Sequence, residues 1–243
     1  MPTLTEDIRN GKTVTAIAQE NGVSRQTIYN RMKTQELSHQ KLKFNHDFFE
    51  NIDCEEKAYW LGFIMADGCV SVTQQPKMAI GLHKRDEDHL KKWHQSIRSC
   101  LKIHHHKDRV ASTHYSSKMC HDLIQMGCVP RKSLQLEFPD LREDLIRHFV
   151  RGYFDGDGSI LRCRPNQNTC RTQLRIVFIG TQMFLNTLKK WIQCSANVCS
   201  MDGNRAYRLE IHGNKSALST AKLMYENATI YLDRKAQVYY SSL

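Results

Sequence analysis

Two aspartates, Asp67 and Asp157, stand 90 positions apart in closely matching surroundings. Asp67 closes the run KAYWLGFIMADG (57–68), and Asp157 closes IRHFVRGYFDGDG (146–158). Both runs read as apolar helices that end at glycine, Gly68 and Gly158, as is common just beyond a helix. A carboxylate in the last turn opposes the partial negative charge of the helix end. Placed there twice, it is a local conflict of the kind found at functional sites. Two such carboxylates brought side by side also repel each other, and a divalent cation such as Mg²⁺, which takes hard oxygen ligands, relieves both penalties. The expected chemistry is therefore metal-assisted.

The residues before the aspartates supply a reason for the two helices to meet. Gly62 and Ala66 are four apart, as are Gly152 and Gly156. Small residues at i and i+4 form a flat stripe on one helix face, and two such stripes allow backbones to approach closely. Glycine in a helix costs roughly 1 kcal/mol relative to alanine, so its repeated use asks for a packing reason. A helix pair joined along these stripes converges Asp67 on Asp157.

These helices open two copies of a weak internal repeat. In the first, CVSV and KMAIGLH read as strands, DEDHLKKWHQSI as a helix, KIHHH and STHYSS as strands and KMCHDLIQMG as a helix. In the second, SILRCR and TQLRIVFIG are followed by TQMFLNTLKKWI, NRAYRLEIHG and KSALSTAKLMYENA. The pattern is αββαββα twice, which is α+β. The repeats are placed at 47–142 and 143–243. Side chains alternate along a strand. Arg171, Gln173 and Arg175 therefore share one face, with Leu174 and Ile176 on the other, and Arg162 and Arg164 are read as alternating likewise. Arg and Gln are the residue types that read guanine and adenine edges.

Ahead of the repeats, TVTAIAQENGVSRQTIYNRMK (within 1–33) reads as two short helices around a tight turn. Gly22 supplies the left-handed turn residue, Ser24 caps the next helix, and Ile28 and Met32, four apart, lie on one face. Arg25, Gln26, Thr27, Asn30 and Arg31 are left on other faces. The segment resembles a helix-turn-helix DNA-binding domain. Residues 34–46, polar and without periodicity, read as a linker.

The chain has 243 residues, with 35 Lys plus Arg against 25 Asp plus Glu, a formal charge of +10. A basic balance of this size suits a polyanionic partner. No apolar run is long enough to span a bilayer, and the first residues lack the apolar core of a signal peptide. The expectation is a cytoplasmic protein with no membrane partner. Nine cysteines, odd in number and irregularly spaced, argue against a disulfide framework. His104, His105 and His106, near Cys100, Cys120 and His121, lack the spacing of a zinc site.

WLGFIMADG (60–68) and VRGYFDGDG (150–158) resemble the two motifs of single-chain LAGLIDADG homing endonucleases. The flanks FFENIDCEEKAYWLGF and VPRKSLQLEFPDLREDLIRHFVRGYFDGDGSI, and the ending IHGNKSALSTAKLMYENATIYLDRK, are also similar to that family. The resemblance covers about residues 47–240. It implies two pseudo-symmetric αββαββα repeats forming a DNA-binding saddle, here preceded by the small helical domain. It implies a monomer that binds double-stranded DNA and hydrolyses phosphodiester bonds site-specifically with Mg²⁺, as an enzyme of a mobile intron. Asp67 and Asp157 take the family's metal-binding positions. Lys118 and Lys215 fit its basic residue near the scissile phosphates, and Lys84 fits a further polar position whose second-repeat counterpart is best matched by Gln182. Asp155 matches an acidic position at which the first repeat has Met65, which makes the two halves unequal. A non-cleaving DNA-binding regulator and an intron maturase that binds RNA are the alternatives on the same fold.

Overall fold

The computed structural model describes residues 3–9, 12–34, 43–130, 135–163, 172–201, 203 and 206–243. In chain order the elements are α1 (Leu4–Arg9), α2 (Val14–Glu20), α3 (Arg25–Thr34), α4 (Glu55–Asp67), β1 (Gly68–Ser71), β2 (Lys77–His83), α5 (Glu87–Ser96), β3 (His104–His106), β4 (Arg109–Tyr115) and α6 (Ser117–Gln125). There follow α7 (Glu143–Asp157), β5 (Ser159–Cys163), β6 (Gln173–Gly180), α8 (Gln182–Ile192), β7 (Val198–Met201), β8 (Ala206–His212), α9 (Asn214–Tyr225) and α10 (Asp233–Tyr240). The strands form two four-stranded sheets with the same order, β1-β2-β4-β3 and β5-β6-β8-β7. Each repeat thus builds its sheet in the same way, and the class is α+β.

Contacts divide the chain into two units, Met1–Phe48 with Leu82–Ser112, and Phe49–Gly81 with Thr113–Leu243. These units do not follow the repeat boundaries. In the first unit, Val14, Ile17, Ala18, Ile28 and Met32 form a small core, with Leu4 and Val23 packed against it. Thr13 Oγ1 accepts from the Ala16 amide and Ser24 Oγ from the Thr27 amide, so both helices of the pair start on a side-chain cap. Gly22 between them has φ +62°, a conformation that favours glycine. Helix α1 adds a third element whose short, polar sequence gives little periodicity. Lys12 joins its Asp7 to Glu20 of α2.

Of the expected 34–46 linker, Thr34 ends α3 and residues 35–42 lie outside those described. Residues 43–46 are packed down. Phe44 is buried and stacks on His46, while the Asn45 amide donates to Ile97 O at 2.7 Å and the Cys100 amide to Lys43 O at 2.9 Å. One aromatic residue in a polar stretch is enough to anchor it.

The second unit holds α4, α7 and the whole second sheet. Register settles which strand residues share a face, because directly opposed residues in an antiparallel pair point the same way. Ile176 stands opposite Ile160 on β5 and Ile211 on β8, and Phe178 opposite Leu209. All are buried, and this face packs against α8 and α9 through Phe184, Leu185, Leu188, Ala217 and Ala221. The other face carries Gln173, Arg175, Arg208, Glu210 and His212. Among the described residues, no helix is long and apolar enough to cross a membrane.

Candidate active site

Helices α4 and α7 pack against each other along their small residues. A Cβ on Gly62 would collide with Phe149 O and lie 2.8 Å from Tyr153 N. A Cβ on Gly152 would collide with Tyr59 O and lie 3.0 Å from Phe63 N. One on Gly156 would strike the methyl of Ala66. The neighbours are main-chain atoms in most of these contacts, and these cannot turn aside as side chains can. Each helix therefore needs glycine where the other's backbone passes.

The seam ends at the two carboxylates. Residues 61–68 and 151–158 have the same sequence of environments: five buried positions, one half-buried, an exposed aspartate and a buried glycine. Asp67 and Asp157 are thus the first side chains to reach solvent where the helices stop. The glycines that follow are extended, with φ −79° at both, and not left-handed as helix-ending glycines often are. Their amides close the last helical turn onto Ile64 O and Phe154 O, and the chain runs directly into β1 and β5. Close approach is what requires glycine here. A Cβ at Gly68 would sit 2.6 Å from Ile64 Cγ2, and one at Gly158 would overlap the Phe154 ring.

Beneath the second carboxylate lies a buried ionic cluster. Asp155 is 1% exposed and accepts from Tyr59 Oη at 2.8 Å, Tyr225 Oη at 2.7 Å and the Leu232 amide at 2.7 Å. Burial pushes its carboxyl upward, against the downward pull of Lys235 and the three donors. Lys235 on α10 is also buried, and its Nζ donates to Phe154 O, Asp155 O and Gly158 O, with Gly156 O farther off at 3.3 Å. A lysine thus caps the carbonyl end of α7, where a cation is favourable. Burial lowers its pKa to about 8, while Asp155, Asp67 and Asp157 act to raise it. Tyr59 belongs to the first motif helix and Asp155 to the second, so this bond also ties the seam. At the positions 90 residues away stand Phe149 and Met65, which lack both the hydroxyl and the carboxylate. The exchange is matched, and Asp155 acts as a buried anchor and not a second exposed carboxylate.

Arg151 secures the other end of the pair. It is fully buried on α7, donates to Glu55 Oε1 of α4 at 2.6 Å, and also bonds Ile230 O and Met224 O. Glu55 in turn accepts from the Thr229 amide.

The basic candidates fall at helix starts. Lys118 lies in the first turn of α6, where its Nζ pairs with Asp122 at 2.9 Å and Glu50 at 3.3 Å. The bond to Asp122 holds its pKa above the usual lysine value. Lys215 is exposed in the first turn of α9, after Gly213 at φ +88°. Lys84 opens a one-turn 3-10 helix (Lys84–Asp86) in the other unit, and Gln182 is exposed at the start of α8.

The sheet residues divide. Gln173 and Arg175 lie on the open face, and Arg175 pairs with Glu210 at 2.7 Å. Arg164 and Arg171 lie outside the described residues. Arg162 requires a correction. It stands opposite Leu174, so it shares the face of Ile160 and Ile176 and not that of Arg175. Its guanidinium bonds Ser241 O and Ser242 Oγ at the chain's end. Leu161 takes the open-face position instead and is exposed. On α3, Arg25, Gln26, Asn30 and Arg31 are exposed, and Thr27 is half-buried with its hydroxyl bonded to Ser24. Tyr29, exposed between Gln26 and Lys33 on the same face, was not singled out from the sequence. His104, His105 and His106 are exposed, His105 pairing with Glu87, and no cluster of metal-binding type occurs among the described residues.

Two helices, packed through glycine and each ending in an exposed aspartate ahead of a four-stranded sheet, define the fold of single-chain LAGLIDADG homing endonucleases, and the chain has this fold. Solved structures bear out the likeness. The LAGLIDADG meganuclease I-CpaMI bound to uncleaved DNA superposes with a TM-score of 0.55 at 17% identity, over 76% of this chain and 88% of that one. I-GzeII in complex with its DNA target gives 0.57 at 10% identity, over 76% and 88%. I-LtrWI bound to target DNA gives 0.54 at 10%, over 82% and 89%. No family model matches the sequence, and no curated protein matches it.

Proposed function

We propose that the protein is a site-specific endonuclease that hydrolyses double-stranded DNA with divalent metal at one site shared by its two repeats. The observation that carries this reading is the pair of exposed carboxylates, Asp67 and Asp157, at the ends of two helices held together by main-chain contact. The donor set suits Mg²⁺, which takes oxygen ligands and commonly uses one or two carboxylates with water and substrate phosphate completing its shell. When bound, such a cation supplies charge stabilisation and an acidified water for phosphodiester hydrolysis.

The chain's own groups have distinct tasks in this scheme. Asp67 and Asp157 hold the cation. The glycine seam fixes their separation, and Lys235 fixes the carbonyl end of α7 from which Asp157 projects. Lys118 and Lys215 would lie against phosphate oxygens and offset the charge that builds there. Lys118 would then exchange its pairing with Asp122 and Glu50 for the substrate. The open face of the second sheet, with Gln173, Arg175 and Arg208, suits contact with base edges. The three-helix segment, with Arg25, Gln26, Tyr29, Asn30 and Lys33 exposed along α3, would bind DNA beside the cut. The similar structures in complex with DNA support this reading.

The test is cleavage of a randomised duplex library with Mg²⁺ and with EDTA, followed by sequencing of the ends. Recurrent ends at one motif, dependent on Mg²⁺, are expected. No cleavage of any sequence under conditions where the protein binds DNA would reject the reading.

A further inference from the structure

Among the described residues, the open face of the second sheet contains one acidic group among its basic ones. Arg175, Glu210, Arg208 and His212 lie on that face, because Arg175 stands opposite His212, Val177 opposite Glu210, and Ile179 opposite Arg208. Glu210 is in the middle of the group. Its Oε1 lies 2.7 Å from Arg175 Nη2 and 3.6 Å from Arg208 Nη1, and its Oε2 lies 3.3 Å from His212 Nε2. Its side chain is 19% exposed, against 44% for Arg208 and 58% for His212. The acid thus sits below the cations that it binds.

A carboxylate on a surface meant for a polyanion weakens general attraction, since it cancels positive charge and repels phosphate. Cross-strand pairing of opposite charges stabilises a sheet, and here it also constrains the cations that would meet DNA. An arginine on an open strand explores many rotamers and can settle on any nearby phosphate, a contact that carries no sequence information. Held at one edge by a carboxylate, its guanidinium still presents further donors in a fixed plane. That geometry matches the paired acceptors on the major-groove edge of guanine.

We propose that Glu210 is a specificity-determining residue that holds Arg175 and Arg208 for guanine and keeps them from the phosphates. This rests on the reading of the sheet as a DNA-contacting surface and adds to it the base and the positioning group. Glu210 acts through the two arginines and need not touch DNA itself.

The experiment is selection of bound duplexes from a randomised library by the full chain, with Ca²⁺ in place of Mg²⁺, for wild type, Glu210→Gln, Glu210→Asp and Arg175→Gln. Wild type is expected to select a motif with guanine in the half-site under the second sheet. Glu210→Gln should lose the guanine preference at one or two adjacent positions there, by about tenfold or more, and leave the rest of the motif unchanged. Arg175→Gln should lose a subset of the same positions, and Glu210→Asp should restore part of the preference. Binding of Glu210→Gln to an unrelated duplex should tighten, with a salt dependence steeper by about one to two units as the released arginines reach phosphates. An identical motif and salt dependence in Glu210→Gln would overturn the proposal and leave the DNA-reading surface standing. Wild type binding with no sequence preference at all would overturn both.

Discussion

The contact between α4 and α7 can be perturbed by a single methyl group. Gly62→Ala and Gly152→Ala each place a Cβ where the opposite helix has a carbonyl oxygen, Phe149 O or Tyr59 O, with a second main-chain atom at 2.8 Å. Normal contact for such atoms is near 3.5 Å, so the helices must part by roughly 1 Å or more. Overpacking of this kind costs about 1–3 kcal/mol and sometimes more. Alanine returns about 1 kcal/mol of helix propensity. With main chain as the obstacle, the upper end applies, and the net loss is estimated at about 2–3 kcal/mol per substitution. For a chain of this size, that lowers Tm by roughly 5–10 °C. Gly81→Ala is the internal control. That glycine lies in β2 with nothing within 4 Å of its would-be Cβ, so the same change should be neutral or stabilising by about 0.5–1 kcal/mol. Thermal unfolding followed by circular dichroism would measure all three. If Gly62→Ala and Gly152→Ala unfolded with the wild type and Gly81→Ala, the seam would not be held by main-chain contact, and nothing would bring the two aspartates together.

Lys235→Met removes a buried ammonium and its four carbonyl contacts, and should destabilise by about 3–5 kcal/mol in urea unfolding, with Asp155→Asn recovering part in the double variant. A fully additive double variant would show that the two groups are not coupled. Burial pushes the Cys120 thiol up to about 11, so it stays protonated at pH 8 and should resist a thiol reagent until the protein unfolds, while exposed Cys54, Cys69 and Cys199 react in the native state. Rapid native labelling of Cys120, read by mass spectrometry, would contradict its placement. Deleting residues 1–40 should weaken DNA binding and shorten a footprint on one side without moving the cut, because the helical segment would act as a tethered second module. A moved cut would mean that this segment sets register.

How much of this was legible in the sequence depended on whether polarity followed burial. The motif helices were readable because apolar residues, small residues and terminal aspartates repeat in the same order. Strand β6 was readable because Leu174 and Ile176 alternate with Gln173 and Arg175. Strand β4 begins three residues before the sequence suggests, since its inward positions include Ser112 and His114, both buried, and these hide the alternation. Strand β7 was not seen at all, because VCSM has no buried residue and no apolar face. Helix α10 was hidden by its own function: the position that should carry an apolar residue carries Lys235, turned inward to the α7 carbonyls. Arg162 falls on the opposite face to that expected because the sequence gives alternation within a strand but not register between strands, and a one-residue shift exchanges the faces. Arg151 and the buried anchoring of Asp155 have no local signal, since the partners Ile230, Met224 and Tyr225 lie more than 60 residues away.

In the proposed function, Asp67 and Asp157 serve one site. This is tested most directly by comparing Asp67→Asn with Asp157→Asn on a cleavable duplex labelled separately on each strand, with DNA affinity measured in parallel. Each substitution would remove a proposed metal ligand and leave the sheets intact. Either one should abolish the double-strand break while DNA binding stays near that of the wild type. Double-strand cleavage persisting at the wild-type rate in both variants would contradict a shared site.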